Sequence, residues 1–232
     1  MLCIQVYIIT SKSQKKTNGR NTSVKGQDKG KESQIGVHFT KRIMSHLLVY
    51  DFMENDLANV LIVVKPSTKS LVFVSLSGTK LKLLGDAKKF VSRVNSLSNN
   101  KGSTYTLKNK TILKSDDVAW LEQLSSDFLQ ILAGGIDSQT NIKCEYLLGT
   151  EFQKKVWETT KTIKAGATIS YQQLAVLLGK PKAVRAIGSA LAKNNIAVVI
   201  PCHRIIGSKG KLTGFRWGIE LKESLLRQEQ AI

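Results

Sequence analysis

The sequence predicts an α/β protein: a small N-terminal β-sheet domain with helices, then a mainly helical C-terminal domain containing a helix-turn-helix. Three observations carry this. Leu47-Leu48-Val49-Tyr50, Val60-Leu61-Ile62-Val63-Val64 and Leu71-Val72-Phe73-Val74-Ser75-Leu76 are β-rich runs separated by turn signals, Lys65-Pro66-Ser67 among them. Two longer stretches after them repeat apolar residues at helical spacing. Residues 146–232 then read as short helices with capping residues and glycine breaks.

Bulk properties frame the partner. The 232 residues include 35 Lys+Arg against 17 Asp+Glu, a net charge of +18. That excess favours a polyanion or an anionic surface as partner over a basic surface that is only solvated. No stretch approaches the length of a membrane span, and the apolar start at residues 1–9 makes a poor signal peptide. Cys3, Cys144 and Cys202 match no zinc motif and no disulfide scaffold, so a reducing compartment fits best.

Residues 1–43 are polar and basic and are expected to be a disordered leader. Met44 opens the first stretch with folded texture. The domain over residues 44–140 begins with the three strands, in a mixed or antiparallel sheet. Residues 83–94 form a helix with Leu84, Ala87, Phe90, Val91 and Val94 on one side. Residues 96–110 are polar and read as a loop. A second helix spans 116–132, capped by Ser115 or Asp116 and stopped by Gly134-Gly135. A linker follows over residues 134–143.

The second domain covers residues 146–232. Thr150 and Gln153 form a capping box that opens a helix over 151–163. Ser170 and Gln173 form another, opening a short helix that ends at Gly179. Pro181 suits the first turn of the next helix, over 182–193. That pair reads as a helix-turn-helix. Its second helix carries little bulk (Ala183, Ala186, Gly188, Ser189, Ala190), which suits a close approach to DNA or close packing in the core, and the basic Lys180, Lys182, Arg185 and Lys193 in and beside it favour DNA. Glycine-rich loops carrying Phe215, Arg216 and Trp217 precede a last helix over 219–228, with Leu221, Leu225 and Leu226 toward the core.

The chemical feature is Ile200-Pro201-Cys202-His203-Arg204-Ile205. An apolar run over 196–200 reads as a buried strand or tight extended segment, and Pro201 ends it. The thiol therefore sits where a rigid element gives way to a turn. A histidine beside a cysteine can take its proton, and a carboxylate behind the imidazole would raise its basicity. Glu158, Glu220, Glu223 and Glu229 are the candidates, and adjacent side chains diverge enough that a water can bridge Cys202 and His203.

Pro201-Cys202-His203-Arg204-Ile205 resembles the active-site signature of the O6-alkylguanine-DNA alkyltransferases, which repair DNA by accepting the alkyl group themselves. Gly149-Thr150-Glu151-Phe152-Gln153 with Trp157, Ser170-Tyr171, Gly179-Lys180-Pro181, Arg185-Ala186-Ile187-Gly188, Asn194, Gly214-Phe215 and the run from Lys222 to Glu229 resemble the rest of that family's catalytic domain. The stretch from Met44 looks like its N-terminal domain, of ribonuclease-H-like shape. The whole looks most like a fungal member.

The resemblance implies irreversible, single-turnover transfer of the methyl or other alkyl group from O6-alkylguanine, and O4-alkylthymine, to Cys202 after base flipping. It assigns His203 as a water-mediated base, Glu229 as the carboxylate behind it, and Asn194 as the turn residue around the cysteine. Tyr171 would turn the 3′ phosphate and give a proton to the guanine, and Arg185 would enter the stack. The expected DNA face comprises Arg185, Tyr171, Ala186, Gly188, Lys182, Arg204 and Ser208. Val198, Val199, Ile200, Phe215 and Trp217 would line the base pocket. Two departures stand out: Phe215 replaces a frequent tyrosine, and Val184 a frequent alanine. No cofactor is implied. His38, His46 and Cys3 do not complete the zinc site of some relatives. The partner would be double-stranded DNA carrying O6-alkylguanine, met by a monomer in the nucleus. A non-catalytic helix-turn-helix lesion sensor and a thiol hydrolase are the competing readings.

Overall fold

The computed structural model describes residues 44–98, 103–134 and 142–232. The predicted leader, and most of the predicted linker, lie outside the described residues.

Strands β1 (Met44–Glu54), β2 (Asn59–Lys65), β3 (Ser70–Ser77) and β4 (Ser103–Asn109) form one sheet in the order β3-β2-β1-β4. β1–β2 and β2–β3 are antiparallel, and β1–β4 is parallel. The period of two decides the faces. Leu61 and Val63 meet Leu83, Ala87, Phe90, Val91 and Val94 of helix α1 (Lys80–Ser98). Val60, Ile62 and Val64 face the other way, into the core that holds Leu121, Leu124 and Phe128 of helix α2 (Ser115–Leu132). That core runs on without a break into the C-terminal helices.

Three local expectations need correction. Residues 96–110 are not a loop: α1 runs to Ser98, and β4 occupies residues 103–109. Only Tyr105 and Leu107 of β4 pack toward α1, so the strand is half polar and its alternation weak. Neither Ser115 nor Asp116 caps α2. Lys114 is the N-cap, with no side-chain bond, while Asp116 and Asp117 lie in the first turn, where the helix dipole favours negative charge. The helix expected from residue 182 starts at Val184, because Ala183 N–H closes a turn on Lys180 O at 2.8 Å.

In the C-terminal half, helix α3 (Glu151–Lys161) carries the Thr150/Gln153 capping box. Strand β5 (Ile169–Ser170) leads into helix α4 (Tyr171–Leu177) through the Ser170/Gln173 box. A turn joins α4 to α5 (Val184–Ala192), completing the helix-turn-helix. Trp157 Nε1 of α3 donates to Ala190 O at 2.9 Å and fixes α5 to the core. Strand β6 (Ile205–Ile206) pairs in parallel with β5, and helix α6 (Ile219–Gln228) closes the chain.

The sheet positions the site through its β3 edge. Leu71 N–H donates to Lys143 O at 2.8 Å, and Glu145 N–H to Leu71 O at 2.9 Å. Further along, Val74 N–H donates to Asn195 O at 2.8 Å. The strand edge thereby satisfies its free backbone groups and holds the residue next to Asn194. Among the described residues, no helix is long and apolar enough to cross a membrane.

Candidate active site

The apolar run before Cys202 is a tight turn rather than a strand. Val199 N–H reaches back to Ala197 O at 2.8 Å, which makes Val198 the centre of a three-residue turn with φ of 68°. Such a φ is strained for a β-branched residue and holds only because the surroundings over-determine it. Val198, Val199 and Ile200 are all buried. A second three-residue turn follows: Cys202 N–H donates to Ile200 O at 2.7 Å across Pro201, whose φ and ψ are −80° and 60°. Cys202, His203 and Arg204 then form one turn of 3₁₀-helix, and all three are buried.

Asn194 organises this turn. Its Oδ1 accepts from Ile196 N–H at 2.8 Å, and its Nδ2 donates to Ile200 O at 3.1 Å and to Cys202 Sγ at 3.3 Å. Burial pushes the Cys202 thiol up, while the Asn194 hydrogen bond and the charges of Lys222 and Arg216 pull it down. The balance is upward, so the resting group is a thiol.

Of the four candidate carboxylates, Glu229 meets His203: Nε2 lies 2.9 Å from Oε1. Glu158 instead accepts from Tyr146, and Glu223 pairs with Arg227. Burial alone would raise Glu229, but hydrogen bonds from His203 and Arg204 outweigh it and hold the carboxyl at about 2. Burial lowers His203 despite Glu229. A neutral imidazole facing an ionised carboxylate must carry its proton on Nε2, which leaves Nδ1 as the acceptor. Nδ1 is buried and has no protein partner.

Arg204 is the expectation the structure overturns. It was placed on the DNA face, yet its side chain is wholly buried. Nε donates to Glu229 Oε2 at 2.9 Å, Nη2 to Oε1 at 2.7 Å, and Nη1 to Ile163 O. A buried guanidinium needs a carboxylate, and Glu229 supplies a two-point match.

Sequence reasoning also missed Lys222. It is buried on α6 and donates to Ile205 O and, at 3.0 Å, to Thr213 O. Burial brings it down to about 8, against the pull of Cys202. The signal was present: Lys222, Leu225, Leu226 and Glu229 share one helical stripe, so two charges occupy core positions. Arg216 ties the loop to the turn, with Nη1 3.2 Å from Asn194 O.

The remaining expected residues divide by exposure. Arg185, Ala186, Lys182 and Ser208 are exposed, and Gly188 is half-buried. Tyr171 lies beside Gly188 and Gly214, and its hydroxyl donates weakly to Thr213 O at 3.3 Å. Burial, then the neighbouring Cys202, raises its pKa, so it keeps its proton. Phe215 stands edge-on to His203 at 6.4 Å and packs on Trp217 at 5.2 Å.

A family model described as "6-O-methylguanine DNA methyltransferase, DNA binding domain" matches residues 151–231. A methylated-DNA–protein-cysteine methyltransferase of Kluyveromyces lactis is 96% identical over 189 residues, covering 82% of this chain and 100% of that protein. The chain belongs to the methylated-DNA–protein-cysteine methyltransferases. The family member of Saccharomyces cerevisiae is 35% identical over 188 residues, 81% of this chain and 95% of its own. Among solved structures, Mycobacterium tuberculosis OGT in complex with DNA aligns with a TM-score of 0.54 and 26% identity, covering 79% of this chain and 93% of that one. This methyltransferase family and the α/β architecture with its helix-turn-helix therefore match the expectations from sequence.

Proposed function

We infer that the chain performs direct-reversal DNA repair, moving the alkyl group of O6-alkylguanine in double-stranded DNA onto Cys202 in one irreversible turnover. The observation that carries this is the linked set Asn194–Cys202 and His203–Glu229–Arg204: a buried thiol next to an imidazole whose Nδ1 is free to take a proton.

A methyl on O6 lies within the base stack, where a recessed thiol cannot align behind it, so the base must leave the duplex. The slim exposed side of α5 suits a close minor-groove approach, and Arg185 projects from it to fill the vacated space. Phe215 and Trp217, with the backbone of Val198 to Ile200, form the wall for the extruded base.

The thiol proton passes to His203 Nδ1, relayed by water, and Glu229 stabilises the imidazolium. Sγ attacks the alkyl carbon, an S–C bond forms, and the C–O6 bond breaks. Its electron pair leaves with the guanine, which takes a proton from Tyr171, and the proton held by His203 passes through water to restore the Tyr171 hydroxyl. The thioether is stable, so the protein acts once, and O4-alkylthymine would react by the same displacement. A monomer suffices, since every group named lies in one chain, and the basic composition fits work in the nucleus.

The test is intact mass after mixing the chain with a duplex bearing one O6-methylguanine, followed by peptide mapping. A gain of about 14 Da on the Cys202 peptide, saturating at one per chain, is expected. Tight binding without mass gain would instead establish a lesion sensor, and release of product with turnover a hydrolase.

A further inference from the structure

A cleft of about 260 Å3, which Cys202 does not line, lies between α1 and the C-terminal end of α5. Lys89 and Arg93 come from α1, one turn apart on the same side. Lys193, the residue that ends α5, and Arg216 face them. The one carboxylate lining the cleft, Asp86, already accepts from Ser75 Oγ at 3.1 Å. Among the described residues, none of the four cations forms an ion pair. Arg216 uses its Nη1 on Asn194 O at 3.2 Å and Asn195 Oδ1 at 3.4 Å.

Four like charges around one concavity repel each other, and their field concentrates anions there. The floor is preorganised: Gly149 at φ of 118° lies against Trp157, where a Cβ would fall 2.6 Å from the ring. Two of the cations, Lys89 and Arg93, stand on the N-terminal half, away from the helix-turn-helix. Lys193 is the C-cap of α5, so the cleft lies at that end of the helix and joins it to α1.

We propose that this cleft is a phosphate site that holds a backbone phosphate of the bound DNA beyond the segment covered by α5, with Lys89 and Arg93 as its N-terminal half. The DNA source rests on the repair reading above; the phosphate chemistry does not.

The test uses the full chain and an undamaged long duplex, with affinity measured across a salt series. Lys89→Gln with Arg93→Gln should flatten the slope of log affinity against log salt by about 0.9 for each phosphate contact removed. Lys82→Gln with Lys88→Gln removes the same charge from exposed positions of α1 that do not line the cleft, and should flatten it clearly less. Inorganic phosphate is titrated in parallel, followed by amide shifts of Gly149 and Asn195. Phosphate uptake lost in the Lys89/Arg93 variant, with an unchanged DNA slope, would keep the site and assign it to a free phosphate group. Equal slopes for both variants with no phosphate uptake would overturn it. Methyl uptake by Cys202 is measured on the same preparation: its absence rejects the repair reading, and the phosphate titration still decides the cleft.

Discussion

Arg204 closes a two-point ion pair on Glu229, Nε to Oε2 at 2.9 Å and Nη2 to Oε1 at 2.7 Å, with both side chains out of water. The same carboxylate holds His203, so the orientation of the proposed base depends on a pair that never reaches the surface. Glu229→Gln leaves a buried guanidinium without its counter-charge and should cost about 3–5 kcal/mol in urea unfolding. Arg204→Lys keeps the charge and loses the fork, so it should destabilise less and still slow methyl transfer.

Stability should fall in acid in two stages. Folded His203 sits below its ordinary 6.5 and folded Glu229 at about 2 rather than 4.5. A depressed folded value contributes stability above the unfolded pKa and loses it as pH falls. The urea midpoint should therefore decline first below about 6.5, as the unfolded histidine gains its proton, and again from about 4.5 toward 2. A midpoint flat from neutral pH to pH 4 would contradict the buried pair.

Asn194→Ala removes one acceptor and two donor bonds inside the turn and should cost about 2–4 kcal/mol. It should also slow alkylation of Cys202 by a small reagent and move its pH profile upward, because the thiolate loses a hydrogen bond. A stability loss with an unmoved profile would restrict Asn194 to a structural part.

Two glycines give opposite signs. Gly149→Ala forces a Cβ to 2.6 Å from Trp157 at φ of 118° and should destabilise by about 2 kcal/mol or more. Gly85→Ala, inside α1 with nothing within 4 Å, should stabilise by about 0.5–1 kcal/mol. Thermal melting of both variants checks the pair.

Arg185→Ala should weaken repair of a stacked lesion more than loose duplex binding, since the exposed guanidinium is proposed to fill the space the base leaves. Rates on a normal duplex and on one with the lesion opposite an abasic site separate these. Equal losses on both would count against the role.

Much was legible because much is local. Thr150 with Gln153 and Ser170 with Gln173 bond side chain to backbone within three residues, so their helix starts were fixed by spacing. Helix α6 runs over residues 219–228 as its periodicity required. The apolar run Val60–Val64 marked β2 as a strand, and its burial on both faces meant that only the packing assigned which side meets α1. Cys202 beside His203 marked a candidate thiol site, and the resemblance of the residues around it supplied the chemistry.

What the tertiary structure decided involves partners far apart in the chain. β4 is a strand because β1 is there to pair with it, and its own sequence is too polar to say so. The residues by themselves left four carboxylates open and only the resemblance singled out Glu229, which meets His203, 26 residues away, because α6 packs across the Cys202 turn. Nothing in the residues around Arg204 tells a surface cation from a buried one. Whether an arginine faces DNA or a buried carboxylate depends on which elements fold over it, and desolvating that charge is tolerable only because Glu229 arrives from the other side.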